Sequence, residues 1–81
     1  MKAPQPYPGN RVTFLRDGEN ITAIVQSIVS QGETVLAFKG NTSYLVRNDE
    51  VLRLVITSGV YGRLDDGSYR FSPFCKRERR R

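Results

Sequence analysis

Tyrosine and arginine are mixed at close spacing in the second half of this sequence. Aromatic side chains can stack on nucleic-acid bases while neighbouring cations contact phosphates, and single-stranded nucleic acid is commonly held in this way. The pattern predicts a nucleic-acid-binding surface formed by Tyr44, Arg47, Tyr61, Arg63, Tyr69 and Arg70. The alternative is that the tyrosines are ordinary half-buried strand residues and that Phe71 and Phe74 belong to the core.

The C-terminal segment 76–81 is a second candidate, because it carries five positive charges and one negative charge. Arginine binds phosphate through paired hydrogen bonds, and cations that bind nucleic acid release its counterions. The predicted nucleic-acid-binding set therefore also includes Lys76, Arg77, Arg79, Arg80 and Arg81. The same segment could instead dock on an acidic protein surface. The simplest alternative is a flexible, solvated terminus.

Residues that could catalyse a reaction are few. The chain has no histidine, which is the commonest general base at neutral pH. Its one cysteine, Cys75, therefore has no histidine to activate it as a nucleophile. The acidic pairs Asp49-Glu50 and Asp65-Asp66 fall in predicted turns, where aspartate is favoured for local hydrogen bonds. One cysteine without histidine cannot form a zinc site. The sequence predicts a protein that is not an enzyme and needs no cofactor or metal.

Length and composition indicate one globular domain of 81 residues, 38% of them hydrophobic and 26% charged. Of the net charge of +5, segment 76–81 holds +4, which leaves residues 1–75 nearly neutral. No apolar run is long enough to span a membrane, and residues 1–10 lack the apolar region of a signal peptide. We therefore expect a cytoplasmic protein.

Short apolar runs alternate with turn residues along the chain, and this spacing favours a small β-sandwich or barrel. We predict an extended Pro-rich arm over 1–8, one β-barrel domain over 9–74 and a flexible basic tail over 75–81. The predicted strands are 11–16, 21–30, 34–39, 42–47, 51–57 and the two arms of a C-terminal hairpin, 60–64 and 68–72.

The segment 21–31 allows two interpretations. Its apolar residues also fit one face of a helix, since they stand at Ile21, Ile24, Val25, Ile28 and Val29. Six of the ten residues from 21 to 30 are β-branched, which favours a long curved strand. The expected fold class is all-β, and the alternative is an α+β fold with a helix at 21–31.

Glycines and apolar positions over 8–56 resemble those of SH3-like small barrels, the group that includes Tudor and KOW modules. The similar segments are Pro8-Gly9-Asn10-Arg11-Val12, residues 25–32, residues 35–40 and Asn48-Asp49-Glu50-Val51-Leu52. The resemblance implies about five strands, with a short 3₁₀ turn at 48–50 before the closing strand. The additional hairpin is not part of that pattern.

Two functions follow from these features. The first is nucleic-acid binding, to RNA or DNA, through the aromatic and arginine surface assisted by the tail. The second is a protein-docking module, an accessory subunit or small regulator that holds an acidic partner through the tail and a sheet edge. The nearly neutral body over 1–75 fits the second function better, whereas the mixture of tyrosine and arginine together with an arginine-rich tail favours the first.

Overall fold

The computed structural model describes residues 3–74. This part of the chain folds into seven β-strands and two 3₁₀ turns, at Ser30–Gly32 and Asn48–Glu50. The strands are β1 (Arg11–Arg16), β2 (Glu19–Val29), β3 (Thr34–Lys39), β4 (Thr42–Arg47), β5 (Val51–Ile56), β6 (Gly59–Arg63) and β7 (Tyr69–Pro73). The predicted all-β fold is confirmed, and so is the 3₁₀ turn expected at 48–50.

All seven strands belong to one antiparallel sheet in the order β4-β3-β2-β1-β5-β6-β7. Five strands precede the predicted C-terminal hairpin, which is also confirmed. The hairpin is not a separate unit, because β6 pairs with β5 and so extends the same sheet. Strands β4 and β7 form its two edges.

The alternative helix at 21–31 is wrong, since Glu19–Val29 is a strand of 11 residues. A β-bulge between Val25 and Ser27 explains why the sequence resembled a helix. Before the bulge, Ala23 and Val25 face the core, whereas after it Ile28 pairs with the buried Val35. A bulge inserts one residue and shifts the alternation of faces, so the apolar spacing departs from a strict period of two.

The core consists of nine buried side chains contributed by the first five strands. They are Val12, Phe14, Ala23, Val25, Val35, Ala37, Val46, Val51 and Leu54. The sheet must curl to bring them together, because β1 and β4 are not neighbours and yet the Phe14 and Tyr44 rings lie 5.3 Å apart. Arg16 closes the same gap by donating from Nη2 to the Leu45 carbonyl at 3.3 Å.

The described part of the Pro-rich arm lies against the curled sheet. Pro6 is fully buried, and the turn that follows is tied to β2 by a hydrogen bond from the Gly9 N–H to the Val25 carbonyl at 2.9 Å. This packing fixes where β1 begins. The basic tail and Cys75 lie outside the described residues.

Gly59 and Gly62 on β6 provide a matched test of this packing. A Cβ at Gly59 would lie 2.5 Å from the Ser72 carbonyl oxygen and 2.7 Å from the Phe71 ring, whereas a Cβ at Gly62 would meet nothing within 4 Å. We expect Gly59→Ala to lower the free energy of unfolding by about 1–3 kcal/mol. Gly62→Ala should leave it unchanged or raise it by up to about 1 kcal/mol.

Urea denaturation of both variants measures this difference. Equal shifts of the two midpoints would show that β6 and β7 do not pack as described.

Candidate nucleic-acid interface

The tyrosines predicted to bind bases are largely used for packing. Tyr44 is half-buried on β4, where its ring meets Phe14 edge-on. The Arg16 guanidinium lies 5.1 Å from the Phe14 ring centre and 5.9 Å from that of Tyr44. Tyr61 is also half-buried against the core, with its ring 4.8 Å from that of Phe71. Neither tyrosine offers an open stacking face comparable to an exposed aromatic ring.

Tyr69 is buried, with 7% of its surface exposed, so its ring face cannot serve as the predicted stacking platform. Its hydroxyl donates to the Val51 carbonyl at 2.6 Å and lies 3.4 Å from the Asn48 carbonyl. These contacts attach β7 to the start of β5. Burial raises the pKa of the Tyr69 phenol above its usual value.

The two phenylalanines of the C-terminal hairpin are more exposed than the alternative interpretation predicted. Phe71 is 39% exposed and Phe74 is 46% exposed, so the expectation that both belong to the core is wrong. Phe74 follows β7, and its N–H donates to the Ser58 carbonyl at 3.0 Å. The accessible aromatic surface of this region therefore includes phenylalanine.

Three arginines share the outer face of the sheet, which points away from the core. The strand register places Arg53 directly opposite Gly62, and Gly62 opposite Arg70, in one row across β5, β6 and β7. Arg11 lies in the adjacent row, opposite Val55. Side chains that are paired across antiparallel strands project from the same face, so these three cations form one surface.

Carboxylates are segregated from this surface. Within residues 3–74 every acidic residue lies in a turn or at a strand end, at Asp17, Glu19, Glu33, Asp49, Glu50, Asp65 and Asp66. The ion pairs found in this part of the chain join Arg16 to Glu50 at 3.4 Å and Arg47 to Asp49 at 3.2 Å. The outer face is therefore positive although the described part of the chain carries no net charge.

A groove crosses this face above Gly62. It has a volume of about 410 Å³, and Arg53, Arg63 and Arg70 are among the residues that line it. Arg63 pairs with the buried Tyr69, so its side chain projects from the opposite face to those of Arg53 and Arg70. The remaining wall is mostly apolar and is formed by Val60, Leu64, Ser72, Pro73 and Phe74. None of the carboxylates of residues 3–74 lines it. The structure thus brings together the predicted Arg63 and Arg70 but adds Arg53, Gly62 and Phe74 to the candidate site.

A second groove, of about 750 Å³, has the opposite electrostatic character. It includes Glu33 and Asp49, and the predicted Arg47 that lies there is already paired with Asp49. Asn48 braces one side by donating from Nδ2 to the Gly32 carbonyl at 2.6 Å. Two carboxylates against one paired cation disfavour phosphate, so this groove is the weaker candidate for nucleic acid.

Other site chemistry is sparse in the described part of the chain. Residues 3–74 contain no group of three or more carboxylate, cysteine or histidine side chains placed to hold a metal ion. Over the same range, no helical segment is long and apolar enough to cross a membrane. The predicted tail cations are not among these residues.

Comparison with known proteins returns no relative for this chain. No protein-family model, curated protein or solved structure matches it. The SH3-like resemblance therefore stays an expectation, and function must be inferred from the site itself.

Tyr69→Phe tests whether Tyr69 stabilises the fold or binds a ligand. Loss of the hydroxyl leaves the Val51 carbonyl without this donor, so we expect the free energy of unfolding to fall by about 1–2 kcal/mol. Nucleic-acid affinity should not change at temperatures where the variant is folded. Urea denaturation and fluorescence anisotropy measure the two quantities, and weaker binding without a stability change would instead favour a ligand-binding role.

Alkaline pH provides a separate test of the buried phenol. Because the folded-state pKa of Tyr69 is raised from its model-compound value of 10.0, the unfolded chain loses this proton first. Stability should therefore fall as the pH rises through that range, and Tyr69→Phe should remove part of the fall. Urea midpoints measured against pH for both proteins check this, and parallel curves would contradict it.

Proposed function

We propose that this chain is a non-enzymatic nucleic-acid-binding module that uses the outer face of β1, β5, β6 and β7. The observation that supports the proposal is the row of Arg53, Gly62 and Arg70, with Arg11 in the next row and no carboxylate from the described strands between them. None of these three arginines has an acidic partner within residues 3–74. Their charges are therefore free to meet phosphates.

The spacing of these cations suits a phosphodiester chain. Adjacent strands are about 4.8 Å apart, so Arg53 and Arg70, separated by β6, have backbones about 10 Å apart. Each guanidinium can turn its planar fork toward a phosphate and bind it through two hydrogen bonds. A flexible backbone lying across β6 could thus contact both arginines.

The basic tail is joined to this surface by the covalent chain. Phe74, the last described residue, lines the groove above Gly62. The cations of 76–81 begin two residues later, and an extended chain spans about 3.3 Å per residue. In the proposed complex Lys76, Arg77, Arg79, Arg80 and Arg81 add phosphate contacts that do not depend on base sequence.

Protein docking is the second candidate function, and an exposed apolar pair favours it. Ile24 is 51% exposed and Phe38 is 37% exposed, and the two side chains face each other across β2 and β3. Arg11 pairs with Ile24 in register, so an acidic partner with an apolar centre would fit this part of the outer face. Nucleic acid is preferred because Phe74, which lines the arginine-flanked groove, is followed two residues later in the chain by the arginine-rich segment 76–81.

The salt dependence of binding tests the proposed function. Fluorescence anisotropy with labelled single-stranded DNA, duplex DNA and RNA should show an affinity that falls linearly with salt on logarithmic axes. The full-length double variant Arg53→Gln/Arg70→Gln should reduce the slope for single strands by about 1.4, which corresponds to two lost phosphate contacts.

Arg47→Gln in the full chain is the matched control, because it removes the same charge from an exposed arginine that is already paired with Asp49. It should leave the slope nearly unchanged. The proposal fails if none of the three nucleic acids binds at low salt. It also fails if Arg47→Gln lowers the salt slope by half as much as the double variant does, because the loss of any one exposed arginine would then have the same effect.

A further inference from the structure

Gly62 has no structural reason to be glycine. Five of the seven glycines have positive φ values, between 61° and 93°, where other residues are strained. Gly59 is required by the close approach of Ser72 and Phe71. Gly62 belongs to neither class, because its φ is ordinary and a Cβ there would enter open space. The missing side chain has one visible consequence, which is the open floor of the groove.

The walls of the groove have two kinds of chemistry. Arg53 and Arg70 supply positive charge on either side of Gly62, which suits an anionic group. Val60 and the exposed Phe74 supply apolar and aromatic surface, which contributes little to the binding of a phosphate that has no base attached. A ligand that uses both walls must carry a flat, largely apolar group next to an anion. A nucleotide unit has this composition.

We infer that the groove above Gly62 holds one unstacked base of a single-stranded nucleic acid. The base lies over Gly62 and against the Phe74 ring, and the adjoining phosphates contact Arg53 and Arg70. The volume of about 410 Å³ lies within the usual range for small-molecule sites. This inference rests on the proposed function and adds to it the unit that is bound.

Strand selectivity follows from this geometry. A base in a duplex is paired and stacked, so it cannot enter the groove unless it is extruded, which costs free energy. Phosphate contacts alone do not distinguish single strands in this way. The intact protein should therefore prefer single-stranded over duplex DNA at equal salt, and filling the groove should reduce that preference.

The test uses the full chain and two variants that each add one leucine to the outer face. Gly62→Leu fills the groove, while Ser43→Leu places the same side chain on exposed β4, far along the sheet. Each protein is titrated by anisotropy with a labelled oligothymidylate and with an abasic oligonucleotide of equal length. Urea denaturation verifies that all three proteins are folded.

We expect the natural chain to bind oligothymidylate at least about fivefold more tightly than the abasic strand, since base–aromatic stacking has this magnitude. Gly62→Leu should bind both probes with the weaker, abasic-like affinity, and Ser43→Leu should behave as the natural chain does. Phe74→Ser provides a further variant that removes the stacking surface without occupying the groove. It should also lose the difference in affinity between oligothymidylate and the abasic strand.

Each alternative outcome has a distinct meaning. If both probes bind the natural chain equally, or if Gly62→Leu still discriminates between them, the base site is overturned while phosphate binding stands. If the natural chain binds neither probe at low salt, the base site is overturned, and if duplex DNA and RNA also fail to bind, the proposed function fails with it.

Discussion

The need to curl one sheet around a single layer of side chains is the constraint on which the rest of this structure depends. Within residues 3–74, eight small or medium apolar side chains and one phenylalanine ring must exclude water without an α-helix to cover them. The sheet achieves this by curling, with bulges near Gln26 on β2 and near Leu52 on β5. Bulges increase local twist and bend the strand that contains them. Because the inner face is occupied by the core, the outer face is the one that a large ligand can reach.

The same curl brings distant parts of the chain into contact where they stabilise one another. Asn48 braces the turn between β2 and β3, since its Nδ2 donates to Gly32 and its N–H donates to Glu33. In that turn Ser30 and Gln31 have φ values of 51° and 58°, a conformation that costs roughly 1–3 kcal/mol per non-glycine residue. The hydrogen bonds from Asn48 help to hold it. Tyr69 attaches the C-terminal hairpin to the other 3₁₀ turn, because its hydroxyl lies 3.4 Å from the Asn48 carbonyl.

Charge is arranged by the architecture. Turns and strand ends carry the acidic residues, while the outward positions of β1, β5 and β7 carry Arg11, Arg53 and Arg70. A nearly neutral body can therefore present a positive face, and overall charge does not describe what a ligand meets. These arginines are exposed to solvent, so burial does not penalise their charge, and their guanidinium groups remain able to form hydrogen bonds with phosphate.

The sequence by itself determined the strand content, the positions of most turns and the charge of the tail. These are local properties, set by β-branched runs, by Asp-Gly and Gly-Asn dipeptides and by composition. Only the tertiary structure decided that Tyr69 is buried, that Arg53 faces Arg70 across Gly62 and that Phe74 is exposed. Strand register and bulges decide which residues share a face. They depend on pairings between distant segments, and a shift of one residue would exchange the inner and outer faces.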